Sequence, residues 1–205
     1  LGSNHTVHPS ACVSALFDDQ IDGHEHLPRG YGSQQFLVEG ILLSGALSDL
    51  SLLANTVALQ GKRLMRTMET HDHMASLGVL VEDQGKGGKI RREIGGRVLM
   101  TYNLHRREVE LLHRGMMYAV EIFRAAGARG LFPLLNSFPE LKSDDDIRRF
   151  RAHRPSVRDF VLTSFHPLGT CKMGTDPASS VVGLDHQTHD VPGLFLVDGS
   201  TVPGA

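Results

Sequence analysis

The chain lacks most of the features by which a sequence announces a special environment. Two cysteines, Cys12 and Cys171, stand far apart in 205 residues, which excludes a disulfide framework, a zinc knuckle and a CxxC redox pair. A reducing, cytoplasmic setting is therefore the expectation. Neither charge sign dominates: 21 Lys and Arg against 23 Asp and Glu leave a formal net charge of -2, so no whole-chain field draws nucleic acid or anionic lipid. A long apolar run is also missing. The least charged stretch, 36–60, is broken by Glu39, Asp49 and Asn55 and by Gly and Ser, and makes a poor membrane span. The opening LGSNHTVHPS has neither the basic start nor the apolar stretch of a secretory leader, and Asn4-His5-Thr6 has no meaning as a glycosylation triplet without export.

What remains is enough for one sizeable domain, or one domain with a piece of another, and its local patterns predict an α+β fold. Ala11 to Phe17 reads as a strand running into the Asp22-Gly23 turn signal. A polar loop follows, and Phe36 to Leu43 reads as a second strand with Gly45 as its punctuation. From Asp49 the period becomes helical, with Leu50, Leu53 and Val57 on one face and Ser48 or Asp49 placed to cap the first turn. Gly61 separates this helix from a second, striped by Leu64, Met65 and Met68. Ser76 to Val81 and Arg97 to Thr101 are β-prone, and the Gly85-Lys86-Gly87-Gly88 cluster between them suits a hairpin. The clearest helix carries Val109, Leu112, Met116, Val120 and Phe123 on one face and ends at Gly127. Ser143 followed by three aspartates has the form of a helix start, which is a commoner use of such acids than metal binding. Leu194 to Val197, bounded by Pro192-Gly193 and Asp198-Gly199, reads as a buried strand whose end faces a ligand.

The candidate chemistry is sparse. Histidines pair at 24 and 26, 71 and 73, and 186 and 189, but none has a third ligand at metal-site spacing, so no metal is expected. There is no phosphate-binding loop of the nucleotide-hydrolase kind. Taken alone, His166 is one imidazole beside a glycine-containing turn, for which a structural role is the commoner one.

Its neighbours change that weight. His166-Pro167-Leu168-Gly169-Thr170-Cys171-Lys172-Met173-Gly174 closely resembles a His-x-x-Gly-Thr-Cys-Arg-Met-Gly segment of the glucose-methanol-choline oxidoreductases. Val181-Val182, followed by Val191 to Ser200, resembles that family's Val-Val-Asp to Gly-Leu-x-Val-x-Asp-Gly-Ser run at the family's interval. Leu1 to Asn4 with His8-Pro9 resembles its Gly-x-Asn-Leu-x-x-His-Pro stretch, and 96–102 together with Ala125 to Ala128 resembles its membrane- or fat-alcohol-oxidising branch. The resemblance covers nearly the whole chain, with the sharpest motifs in about its last forty residues.

The resemblance implies an FAD-dependent enzyme that oxidises an alcohol substrate by hydride transfer to the flavin, reoxidised by oxygen, a quinone or a cytochrome. It implies that His166 accepts the alcohol proton, Phe165 lines the substrate pocket, Asp198 bonds the flavin's ribityl chain and Gly199 admits the cofactor's close approach. It further implies an antiparallel sheet with flanking helices, belonging to a substrate domain over 1–180, and over 181–205 the terminal strand segment of a Rossmann-like FAD-binding domain. Three departures qualify it. No Gly-x-Gly-x-x-Gly fingerprint is present, since Gly30-Tyr31-Gly32 is followed by Gln35 where the third glycine belongs. The main flavin-phosphate site is then expected in a missing FAD-binding half, and the family's second catalytic position would fall beyond Ala205. Gly183 stands where the family has Asp. The missing fingerprint supports an alternative, a truncated non-catalytic relative that serves as a binding or assembly subunit, while the intact 166–174 segment and Asp198-Gly199 support the enzyme.

Overall fold

The computed structural model describes residues 1–25, 30–46, 49–84 and 87–204. They form two compact units, one made of 10–81 and 109–163, the other of 1–9, 82–108 and 164–205.

The first unit is built on a five-stranded, wholly antiparallel sheet. Its strands are β1 (Ser10–Leu16), β2 (Gly32–Ser33), β3 (Ile41–Gly45), β4 (Met74–Val81) and, numbered by chain order, β7 (Gly130–Pro133), arranged β2-β3-β4-β1-β7. β1 lies between β4 and β7, with Ser14 opposite Ser76 on one side and Phe132 on the other. Six of its seven residues are buried, so it reads as a continuous small and apolar run instead of an alternation. Beneath α1 (Leu50–Asn55) and α2 (Gly61–Met68), Met74 and Phe132 pack with Leu53, Val57 and Leu59, and Leu64 and Met68 close the edge. Met65, the third member of the expected α2 stripe, points to solvent. Asp49 caps α1 by accepting the Ser51 and Leu52 amides, while Ser48 lies outside the described residues.

The predicted long helix is α3 (Arg106–Ala125), with Val109, Leu111, Leu112, Met116, Ala119, Val120 and Phe123 all buried. A glycine in its middle is explained by contact. A Cβ on Gly115 would overlap Val79 Cγ1 and stand 3.1 Å from Ile41 Cγ2, so the helix backbone rides directly on β4 and β3. α4 (Asp144–Ala152) starts at Ser143 with a reciprocal capping box to Asp146, which uses the expected acids as helix-start groups. Phe36 to Leu43 is only half strand. Its first portion is a single 3-10 turn over Leu37–Glu39, because Gly40 in the left-handed region (φ 82°) reverses the chain before β3 starts.

The second unit holds one hairpin, β5 (Lys89–Arg92) with β6 (Val98–Thr101). The anticipated pairing of 76–81 with 97–101 does not occur. β4 is taken by β1 and β3, and the tight turn is made over 93–97, where Gly95 and Gly96 both have positive φ and Glu93 N–H bonds Arg97 O at 2.8 Å. Gly85 and Lys86 lie outside the described residues. The hairpin's base is tied by Glu108, fully buried in the first turn of α3, whose carboxylate accepts the Gln84 amide (2.8 Å), the Tyr102 hydroxyl (3.1 Å) and the His105 amide. Burial, then Glu108 and Asp83, push the Tyr102 phenol well above its ordinary range. Leu194 to Val197 runs extended but is not a buried strand. Its single bridge is Gln187 to Phe195, and Leu194, Phe195 and Val197 are exposed, because no described segment forms a ladder beside it. No helix among the described residues is long and apolar enough to cross a membrane.

Two results should follow. Gly115→Ala gains about 1 kcal/mol of helix propensity, but Val79 is stiff at χ1 and cannot yield cheaply. Overpacking costs about 1–3 kcal/mol, so denaturant unfolding should show a net loss of stability. Cys12, buried in β1 with its thiol pushed up to about 12 by desolvation, should resist iodoacetamide at mildly alkaline pH until the protein is unfolded.

Candidate active site

The site is assembled by backbone pairing between three stretches distant in sequence, all within the unit formed by 1–9, 82–108 and 164–205. Thr6 and Leu168 exchange both main-chain hydrogen bonds, at 3.1 and 2.9 Å. Gly2 N–H bonds Thr170 O at 2.9 Å, and the Asn4 side-chain amide donates to Pro203 O at 3.0 Å. On the other side of the 166–174 loop, Gly169, Cys171 and Met173 donate to the carbonyls of Gly199, Ser200 and Thr201 at 3.3, 2.8 and 2.9 Å. The loop is thus held on both sides by main chain, independent of side-chain rotamers.

Gly169 is the position this arrangement cannot change. Its φ is +80°, and a Cβ there would overlap Asn4 O and press on Asn4 Nδ2 at 2.8 Å. Gly199 is similarly close-fitted, with a Cβ position 2.9 Å from Leu168 Cδ2 and 3.5 Å from Pro167 O. Among the described residues, the close neighbour of Gly199 is the histidine loop.

His166 is half-buried, and it faces a second imidazole. In an antiparallel pair, residues two steps on from a bridge lie opposite each other on the same face. The Thr6–Leu168 bridge therefore puts His8 opposite His166, and their ring centroids are 5.4 Å apart, edge to face at 85°. His8 Nδ1 is buried with no hydrogen-bond partner among the described residues. Burial lowers the His8 pKa and His166 lowers it further, against opposing pulls from Asp83 and Glu82. Asp83 also anchors the stretch, accepting the Val7 amide at 3.0 Å. The sequence presents His8 only as a member of a motif, since nothing local shows that residue 8 lies opposite residue 166.

Phe165, next to His166, is 56% exposed. Asp198 is exposed and caps the short turn Gly199–Thr201, with Oδ1 accepting the Ser200 amide at 2.7 Å. The Ser200 hydroxyl and then its amide hold the carboxyl below its ordinary range. Together these residues fit one end of a flavin site. Asp198 offers an ionised carboxylate with lone pairs beyond the one given to Ser200, and Leu194, Phe195 and Val197 leave apolar surface open beside it. The described residues contain no glycine-rich turn at a helix start that could cradle phosphates.

The departure at Gly183 has a local compensation. Asp185 Oδ1 lies 2.8 Å from where a Cβ on Gly183 would stand and accepts the Gln187 amide at 3.1 Å, so position 185 supplies a carboxylate to this loop. The histidine pairs are each engaged separately: His186 Nδ1 meets Leu196 O at 3.1 Å and His189 Nε2 meets Ser180 Oγ at 2.9 Å, while His71 and His73 Nδ1 meet the carbonyls of Met68 and Asp19. His26 lies outside the described residues. No group of three His, Cys, Asp or Glu able to hold a metal occurs among the described residues.

Comparison with known proteins shows the family and the fold. The GMC oxidoreductase family profile matches residues 96–205. An uncharacterized GMC-type oxidoreductase of Mycobacterium tuberculosis is 25% identical, over 99% of this chain and 32% of its own length. The long-chain-alcohol oxidase FAO4A of Arabidopsis thaliana is 30% identical, over 100% of this chain and 31% of its own length. This chain thus spans about a third of the curated relatives it matches. Among solved structures, pyridoxine 4-oxidase from Mesorbium loti superposes with a TM-score of 0.62 at 20% identity, over 100% of this chain and 39% of that one. That likeness establishes the fold.

The backbone clamp makes its own prediction. Gly169→Ala in the full-length protein should separate the first four residues from the 166–174 loop, lowering the unfolding midpoint and speeding amide exchange at Gly2 and Thr6. Unchanged exchange at those two amides would show that the loop is held by something else.

Proposed function

Since this chain belongs to the GMC oxidoreductase family and matches its carboxy-terminal portion, we propose that it supplies the base and one end of the flavin site of an FAD-dependent enzyme oxidising an alcohol CH–OH group. The observation that carries this reading is the placement of His166. Two separate stretches, 2–6 and 199–201, spend main-chain hydrogen bonds on fixing the loop that bears it, with the Asp198–Gly199 turn against the same loop. Bound flavin would supply the hydride acceptor, and the phosphate cradle belongs to the rest of the enzyme.

In this reading His166 takes the hydroxyl proton as the carbinol hydride leaves, a task suited to an imidazole because its neutral form accepts a proton near neutral pH. Phe165 offers an apolar wall to the carbon skeleton, and Asp198 accepts hydrogen bonds from the ribityl hydroxyls. The held-down pKa of Asp198 keeps it an acceptor through the physiological range.

His166→Gln in the complete enzyme should keep its flavin yet slow flavin reduction at saturating alcohol by about 10²- to 10⁴-fold, or roughly 3–5 kcal/mol of barrier. Rapid mixing under anaerobic conditions isolates that step. Reduction within a few-fold of wild type removes His166 as the base. Asp198→Ala should weaken flavin retention roughly ten- to hundredfold, the worth of one hydrogen bond to a charged group, as read from flavin released on dilution.

A further inference from the structure

We propose that His8 is a positioning residue for His166, a second imidazole that fixes the ring of the base and stays uncharged while His166 takes and gives up the proton. This rests on the reading of His166 as the base.

The placement is main-chain geometry. The reciprocal Thr6–Leu168 bridge sets His8 opposite His166, and the rings meet edge to face at 5.4 Å. No hydrogen bond links the two rings among the described residues, so His8 acts on His166 by packing and by its charge state. Protonating His8 at Nδ1 would create a buried N–H with no acceptor, a costly arrangement. It would also set a positive charge against His166 whenever that ring is protonated. Burial and His166 both disfavour the charged form, and they act against Asp83 and Glu82, the two acidic groups facing His8 from the stretch after β4. Some of the Asp83 carboxylate's accepting capacity is committed to the Val7 amide. Positive charge is therefore disfavoured on the His8 ring. A neutral, tightly placed ring beside the base also holds the His166 imidazole in one orientation, with no hydrogen bond between the two rings to compete for the nitrogen that accepts the alcohol proton.

Two replacements in the complete flavin-loaded enzyme separate ring packing from nitrogen chemistry. His8→Ala removes the ring. It should slow flavin reduction about 10- to 100-fold with flavin content and substrate affinity little changed. His8→Phe restores a ring without nitrogens and should recover most of that loss. A readout independent of turnover comes from NMR of the wild-type enzyme labelled at histidine Cε1, with signals assigned by His8→Phe and His166→Gln. The His8 signal should remain that of a neutral ring below the pH at which an ordinary imidazole protonates.

Wild-type reduction in His8→Ala, or a His8 signal that titrates at or above the ordinary imidazole range, would overturn the proposal. So would a His8→Phe enzyme as slow as His8→Ala, since that would give the His8 nitrogens a direct role in proton transfer. If His166→Gln itself reduces flavin at the wild-type rate, the base reading fails and the proposal with it. A slow His166→Gln beside an unimpaired His8→Ala leaves the base reading standing and removes only the role of His8.

Discussion

The reciprocal hydrogen bonds between Thr6 and Leu168 are the constraint on which the candidate site depends. They fix which residue lies opposite which, and in an extended pair a slip by one residue would turn every side chain to the other face. With this register His166 is opposite His8; one step away, Phe165 or Pro167 would take its place. Gly169 guards the register, because only a residue without Cβ and at ease with positive φ allows Asn4 to come so close. The side-chain chemistry is therefore set by main-chain geometry, and the main-chain geometry by one glycine.

The local signals in the sequence are legible where a short window carries them. The apolar stripe of α3, the Asp49 cap of α1, the Ser143 capping box and the first strand follow from periodicity and end residues within a turn or two. Long-range pairing is not legible. β5 (Lys-Ile-Arg-Arg) is too charged to be read as a strand, and β7 (Gly-Leu-Phe-Pro) is short and flanked by breakers, yet both form because a partner strand presents its edge. The hairpin turn lies at Gly95 and Gly96 and not in the 85–88 glycine cluster. Both clusters can supply positive φ, and only the engagement of β4 with β1 and β3 decides between them.

The same division holds at the site. His166, Asp198 and Gly199 are legible through motifs, while the contacts that join them are between residues far apart in sequence. Asp198 shows why a motif and a structural role need not compete. An Asp-Gly turn is an ordinary structural device, and Asp198 does cap its turn. A carboxylate has about four acceptor positions, so capping Ser200 orients the group and leaves it able to accept more. The loop around Gly183 makes a related point, since its carboxylate comes from position 185 instead of 183. Residue-by-residue matching sees a loss there, and the folded loop retains a carboxylate nearby.

The stretch from His5 to His8 also concentrates polar atoms that a segment folded for stability alone would not keep. His5 Nδ1, Thr6 Oγ1 and His8 Nδ1 are all buried without partners among the described residues. A buried polar group left unpaired costs about 1–3 kcal/mol, and apolar residues of similar shape would avoid that cost. Such local conflict between sequence and packing gathers at sites where chemistry, not stability, selects the residue. Here it falls on the stretch that clamps the His166 loop. An uncharged imidazole beside the proposed base needs surroundings that solvate it poorly, and the under-bonded setting of Nδ1 that makes His8 unfavourable to protonate is also what makes the segment expensive to fold.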